Sequence, residues 1–464
     1  MRTIAFIVTF LVASFQLQSQ TLAQLEAQPN LKSSQWGIAV IDIASGNIVG
    51  QHEAARMLST ASVMKAVTAA TAYDRLGANF QFDTELSHTG TIESNTLKGD
   101  LIIKGSGDPS LGSNRFPGAS FLANWAESLK IKGIRSVEGD IVANTYLWSS
   151  QISPGSWPWK DMGNYYAAGA SALNYQENYY SLFLKAGSRV GAPVTVLRTF
   201  PEMKDIKFEC ELTTGSRGSG DQAYIFGVPY TQVRYLRGTI PLGANSFHIK
   251  GAISNPPQHC AQAFREALEQ CGITVQGEIR VTQAMVPARG LDEKRSPTLD
   301  TLITEMNMHS INLYAEALLK KASGESSTED ATAWLGRFWK EKGVQHAMHF
   351  TDGSGLSADN AASPLAIAEI LAYASKQSYG ENLRKSFPVA GRSGSLKRRF
   401  KGTAGEGRIF AKTGTTGHVR SLAGYIHTRS GKRYSFCLMA NHFNTSGGRV
   451  ARTFDSYLAG LAAK

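Results

Sequence analysis

Three short motifs constrain any fold open to this chain. Ser62-Val63-Met64-Lys65 is the only Ser-x-x-Lys in 464 residues, and Lys412-Thr413-Gly414 is the only Lys-Thr-Gly. Ser310-Ile311-Asn312 lies between them. Together they supply a hydroxyl nucleophile, an amine to serve as its base, a second hydroxyl with an amide, and a cationic strand edge. Acyl transfer through a serine ester needs those groups. Each motif is weak alone: an isolated Ser-x-x-Lys is usually a solvated helix face, and Ser45-Gly46-Asn47 also matches the middle motif. The ordered set is the strong signal, and it demands that residues near both ends of the chain meet.

Ser59 or Thr60 can cap a helix from Ala61 to Leu76, with Gly77 as its stop. Ser62 and Lys65 then share a face at the helix start, where backbone amides can meet an oxyanion. A free lysine, with a pKa near ~10.4, is a poor base at neutral pH. Lys65 therefore needs desolvation and a neighbouring cation, and Lys412 is the candidate. Ser310 and Asn312 fall between helical stretches 299–308 and 313–322. From a loop there, Ser310 can relay a proton between the leaving amine and Lys65, and Asn312 can bond the substrate backbone. The plain alternative for Ser310 is a helix N-cap. On their strand, Lys412 and Thr413 can engage a substrate carboxylate, while Gly414 lets a substrate approach the edge. The Thr415 N–H can complete an oxyanion hole with that of Ser62. The Gly-rich runs 105–109 and 352–357 read as turns and lack a phosphate-cradling pattern.

Gly37–Ile43 and Asn47–Gly50 read as a hairpin; 409–414, 422–427 and 433–439 read as three more strands, and 451–463 as a closing helix. The chain ends thus predict one α+β catalytic domain, an antiparallel sheet flanked by helices, made of residues 24–90 and 295–464. Residues 91–294 read as a β-rich insertion between the first and second motifs, with two subdomains, the inner one near 188–249.

Arg2, the apolar run 4–13 and Thr21-Leu22-Ala23 predict a signal peptide over 1–23, hence export. The formal charge of +11 suits an anionic wall or lipid surface, or simply aids solubility. No nucleic-acid module is evident. Cys260 and Cys271 sit about 16 Å apart along one expected helix and cannot bridge within it. Each of the four cysteines, Cys210, Cys260, Cys271 and Cys437, is expected to be a small buried hydrophobe. No Cys/His spacing suggests zinc, and no cofactor is expected.

In order and type the motifs resemble those of penicillin-binding proteins and serine β-lactamases. The long stretch between Ser62 and Ser310 narrows this to the class C low-molecular-mass penicillin-binding proteins, the D-alanyl-D-alanine carboxypeptidase/endopeptidase family (peptidase family S13). Gly105-Ser-Gly-Asp-Pro-Ser-Leu111, Trp157-Pro-Trp-Lys-Asp161, Met306-Asn-Met-His-Ser-Ile-Asn312, Ala315-Glu316 and Asp352-Gly-Ser-Gly-Leu356 are similar too. The resemblance implies a transpeptidase-like domain acting on peptidoglycan stem peptides in the periplasm, free or held at the inner membrane or wall, and trapped covalently by β-lactams. It implies Ser62 as the acylated nucleophile, Lys65 as base, and Ser310, Asn312 and Lys412 in support. It implies that Asp161, on the insertion, binds an amine on the substrate side chain. Ile311 departs from the more usual Asp; Ala358 and Gly417 stand where some relatives carry Arg and Gln. A β-lactamase and a non-catalytic wall-binding scaffold are the competing readings. The residues leave open carboxypeptidase against endopeptidase action.

Overall fold

The computed structural model describes residues 21–464. Nearly all of the expected signal segment lies outside the described residues, and the expected cleavage point after Ala23 falls within a short helix, Leu22–Glu26. Among the described residues no helix is long and apolar enough to cross a membrane.

The run Trp36 to Ile41 is apolar without alternation, the pattern of a strand covered on both faces. Gln35–Asp42 indeed lies inside a five-stranded antiparallel sheet. Its order is 48–52, 35–42, 433–441, 419–427, 409–416. The N-terminal hairpin pairs with the last strand, Arg433–Asn441, so the chain ends meet as the motifs require. Helix Gly447–Ala463 covers one face through Val450, Phe454 and Leu458. Helices Met64–Leu76 and Pro364–Ser375 cover the other, with helix Asn312–Ser323 packed against Met64–Leu76. Met64–Leu76 is buried from Met64 through Tyr73, and its small residues allow such all-round packing.

The start of that helix departs from expectation. Ala61–Val63 form a 3₁₀ turn, the α-helix begins at Met64, and neither Ser59 nor Thr60 caps it. Thr60 itself is helical (φ −80°, ψ −29°), not extended as a capping residue must be. Its backbone is held instead by Asn360, whose carbonyl accepts the Thr60 N–H, and by the Ser421 hydroxyl, which donates to the Thr60 carbonyl. Gly77 ends the helix with φ +77°.

The β-rich middle leaves the catalytic domain after helix Met64–Leu76 and returns into helix Leu299–His309 through adjacent strands. Asp83–His88 and Arg289–Arg295 pair antiparallel, the first starting before residue 91. They belong to a second five-stranded sheet, in the order 279–282, 141–144, 101–104, 83–88, 289–295. Helices Phe121–Ile131 and Pro256–Gln270 pack on it, with Trp125 edge-on to Phe264. Further sheets, 195–200 with 179–185 and 247–252, and a group around 233–241, enclose a separate small core of Leu182, Leu184, Ile225 and Leu236. All four cysteines are free. Cys260 and Cys437 are buried as expected. Cys210 is exposed and Cys271 half-buried, because one lies on a strand at the surface and the other caps the C-terminus of helix 256–270.

Candidate active site

The 3₁₀ turn presents Ser62 one turn ahead of Lys65. Lys65 is fully buried, and its Nζ has three neighbours: Ser62 Oγ at 3.1 Å, Asn312 Oδ1 at 2.5 Å and the Ser354 carbonyl at 2.7 Å. A charged ammonium donates to all three. A neutral amine keeps two N–H bonds, which suit Asn312 and Ser354, and turns its lone pair to the Ser62 hydroxyl. The geometry therefore serves a base once the proton is lost. Burial pulls Lys65 down from 10.5 to about 8, against the opposing pull of Asp352 and Glu316.

Lys412 is as deeply buried. Its Nζ donates to Ser310 Oγ at 2.9 Å and to the Thr413 carbonyl at 2.8 Å. The expected effect of Lys412 on Lys65 takes another form: desolvation is what lowers Lys65. Lys412 is itself held well below the usual lysine range, by burial first and by repulsion from Lys65 second. Two buried ammonium groups at one site disfavour double charging. Ser310 ends helix Leu299–His309 in the left-handed conformation (φ 56°, ψ 43°), so it is a C-terminal residue and not an N-cap. Its hydroxyl bonds to Lys412, while Asn312 is the residue that reaches Lys65. The Asn312 Nδ2 donates to the Tyr166 carbonyl at 2.6 Å, which ties the insertion to the base.

Strand Ile409–Thr416 is the sheet edge. The Ala411 N–H donates outward to Pro388, so alternation leaves the backbone groups of Thr413 and Thr415 facing the open side. The expected donor at Thr415 is thus on the open edge. Gly414 has a packing reason besides the one the sequence suggested. A Cβ there would overlap Ser421 Oγ and lie 2.8 Å from the Thr60 carbonyl. The glycine lets the strand press against the turn that carries Ser62.

The turn at Asp352 is more than a border. Asp352 is fully buried and accepts the backbone N–H groups of Ser354, Gly355 and Ser357, the Asn360 amide, and the Trp157 indole N–H at 2.9 Å. Glu316, also buried, receives the Gly353 N–H on both oxygens, at 3.2 and 3.0 Å. Burial and the nearby Asp352 push its carboxyl up. These bonds fix the loop whose Ser354 carbonyl holds Lys65. Sequence reasoning missed Asp352, Glu316 and Ser354 as supports; the only signal was the Gly-rich turn and the Ala-Glu pair.

A cleft of about 400 Å³ runs from Ser310 and Asn312 past Tyr166 to His248 and Lys250 of the insertion. Asp161 sits behind it, with one carboxylate oxygen accepting the Tyr166 hydroxyl at 2.9 Å. A second cleft, about 290 Å³, is bordered by Ser395, Thr413, Thr415 and Arg420. Thr413 Oγ1 donates to Ser395 Oγ at 2.8 Å. Arg420 stands opposite Thr415 in register, a neighbour that alternation across the turn at Gly417 would have found.

Comparison with known proteins places the fold and the family. A D-alanyl-D-alanine carboxypeptidase DacB of Haemophilus influenzae is 26% identical over 423 residues, covering 89% of this chain and 87% of that protein. A D-alanyl-D-alanine carboxypeptidase of Actinomadura sp. is 29% identical over 427 residues, 86% and 76% of the two chains. The crystal structure of penicillin binding protein 4 (dacB) from H. influenzae superposes with a TM-score of 0.82 at 23% identity, over 95% of this chain and 98% of that one. The same protein complexed with a β-lactam gives 0.78. The fold is accordingly the penicillin-binding, transpeptidase-like one with a β-rich insertion. The model of the D-Ala-D-Ala carboxypeptidase 3 (S13) family matches residues 18–464, and the chain belongs to that family.

Proposed function

We propose that this protein is a serine DD-peptidase of the cell wall, in which Ser62 carries the acyl group. The observation that carries the reading is the threefold setting of Lys65. Neutral Lys65, held by Asn312 and Ser354, takes the Ser62 proton as Oγ attacks the carbonyl carbon of a D-Ala-D-Ala bond. The developing oxyanion meets the N–H groups of Ser62 and Thr415. As the C–N bond breaks, the proton passes through Ser310 to the leaving amine, and the Lys412 ammonium keeps that hydroxyl oriented. Water then cleaves the Ser62 ester by the reverse proton path. The substrate carboxylate is held by Thr413 with Arg420 near, and Asp161 receives a cationic group on the stem peptide. A β-lactam enters the same ester. Such chemistry belongs outside the inner membrane, where stem peptides are found.

The test is D-alanine release from a stem peptide ending in D-Ala-D-Ala, paired with the lifetime of the benzylpenicillin adduct. Release of D-alanine and a long-lived adduct are expected. Rapid penicillin turnover with no D-alanine release would make the protein a β-lactamase, and neither activity would leave a scaffold.

A further inference from the structure

The largest of the clefts described lies away from Ser62, between helix Pro256–Gln270 and the small β-rich unit that holds Pro201 and Tyr230. Its volume is about 690 Å³, within the range of ligand-binding cavities, and it sits between two packed units, a common place for them. Three observations define its chemistry. First, its walls are rich in uncharged amides. Gln258, Gln262 and Gln270 project along one face of the helix at four-residue spacings with Glu266 among them, and Gln176 and Gln232 face them from other segments. A primary amide both donates and accepts, as a sugar hydroxyl or acetamido group requires.

Second, Tyr230 is set as a platform. The residue is 52% exposed, its backbone is held at φ +63°, its N–H donates to the Ser254 carbonyl and its hydroxyl donates to the Ser150 carbonyl at 2.7 Å. A tyrosine in that backbone region is rare and persists only where its surroundings fix it. Third, the charge is wrong for an anion. In a chain of net charge +11 the cleft carries Glu202, Asp205 and Glu266 against Lys204 alone. His259, on the wall, has an unpartnered Nε2, and burial pulls it down to about 4, so it adds no positive charge at neutral pH.

We infer that this cleft binds a neutral oligosaccharide, with the Tyr230 ring stacked on a sugar face and the glutamines bonding its hydroxyl or acetamido groups. Resting on the peptidase reading, the cleft would grip the glycan strand whose stem peptides reach Ser62. A basic peptide is the occupant the acidic residues would otherwise select.

The probe is a tetramer of β-1,4-linked N-acetylglucosamine, titrated by calorimetry into wild type, Ser62→Ala, Tyr230→Ala and Gln262→Ala. Circular dichroism confirms folding of each. Wild type and Ser62→Ala should bind alike, because Ser62 takes no part; Tyr230→Ala and Gln262→Ala should each weaken binding by about tenfold, the equivalent of 1.4 kcal/mol. Tyr230→Ala should also keep its rate on a short soluble peptide yet release D-alanine more slowly from intact peptidoglycan. No saturable binding, binding unchanged in both cleft variants, or preferential binding of a lysine tetramer would overturn the inference. Saccharide binding by a wild-type protein that releases no D-alanine, or D-alanine release kept by Ser62→Ala, would instead count against the peptidase reading alone.

Discussion

Gly355 offers a sharp test of how the site is braced. It sits in the Asp352 loop at φ +79°, and a Cβ there would overlap the Ala61 carbonyl oxygen and lie 3.0 Å from Met64 Cβ. Those atoms flank Ser62. Gly355→Ala has two costs: about 1–2 kcal/mol for a side chain in left-handed backbone and about 1–3 kcal/mol for overpacking. Gly431→Ala isolates the first. It has φ +84°, lies in the turn between strands 419–427 and 433–441, and a Cβ there meets nothing within 4 Å. In urea unfolding, Gly355→Ala should lose about 1–3 kcal/mol more than Gly431→Ala, the overpacking share. The overlap is with backbone, so the Ser62 turn must yield. A displacement near 1 Å costs about 100-fold in rate, and benzylpenicillin acylation of Gly355→Ala should fall by that order while Gly431→Ala acylates normally. Equal stability losses together with wild-type acylation by Gly355→Ala would refute the bracing.

Three further outcomes follow from the same contacts. The acylation rate should rise about tenfold per pH unit up to about 8 and then level, because Lys65 gains its lone pair only on losing a proton; a rate flat through neutral pH would remove Lys65 as base. Asp161→Asn can keep a bond to Tyr166 yet removes the charge, so kcat/KM for amine-bearing stem peptides should fall about tenfold or more, with penicillin acylation nearly unchanged; equal losses toward both would make Asp161 structural. Trp157→Phe deletes the indole donor to the buried Asp352 carboxylate and should cost about 1.5–3 kcal/mol in urea unfolding; an unaltered midpoint would mean the bond is not formed in solution.

Much of the catalytic fold was legible because its signals are local. The run 409–416 through 433–441 shows strand-length apolar segments broken by Ser430-Gly431, and the helix from Met64 to Leu76 shows a clear stop at Gly77. The pairing of Ser62 with Lys65 follows from spacing alone. The rest depended on distant partners. Nothing near Asp352 announces that Trp157 donates to it. Nothing near Thr60 announces that Ser421 and Asn360 take over its backbone and cancel a cap. Gly414 reads as an open edge, yet its neighbour is the Ser62 turn, from the other end of the chain. Of the two causes expected for the Lys65 shift, desolvation is the one that acts and the Lys412 charge is not among the causes; which distant segments converge to bury Lys65 could not be read near it.

Whether Ser62 bears the acyl group is read most directly by mass spectrometry of the digested benzylpenicillin adduct, wild type beside Ser62→Ala. The peptide containing Ser62 should carry the added penicilloyl mass in wild type, and no peptide should carry it in Ser62→Ala. A penicilloyl group on Ser310 or any other residue in wild type, or stable labelling of Ser62→Ala, would contradict the assignment.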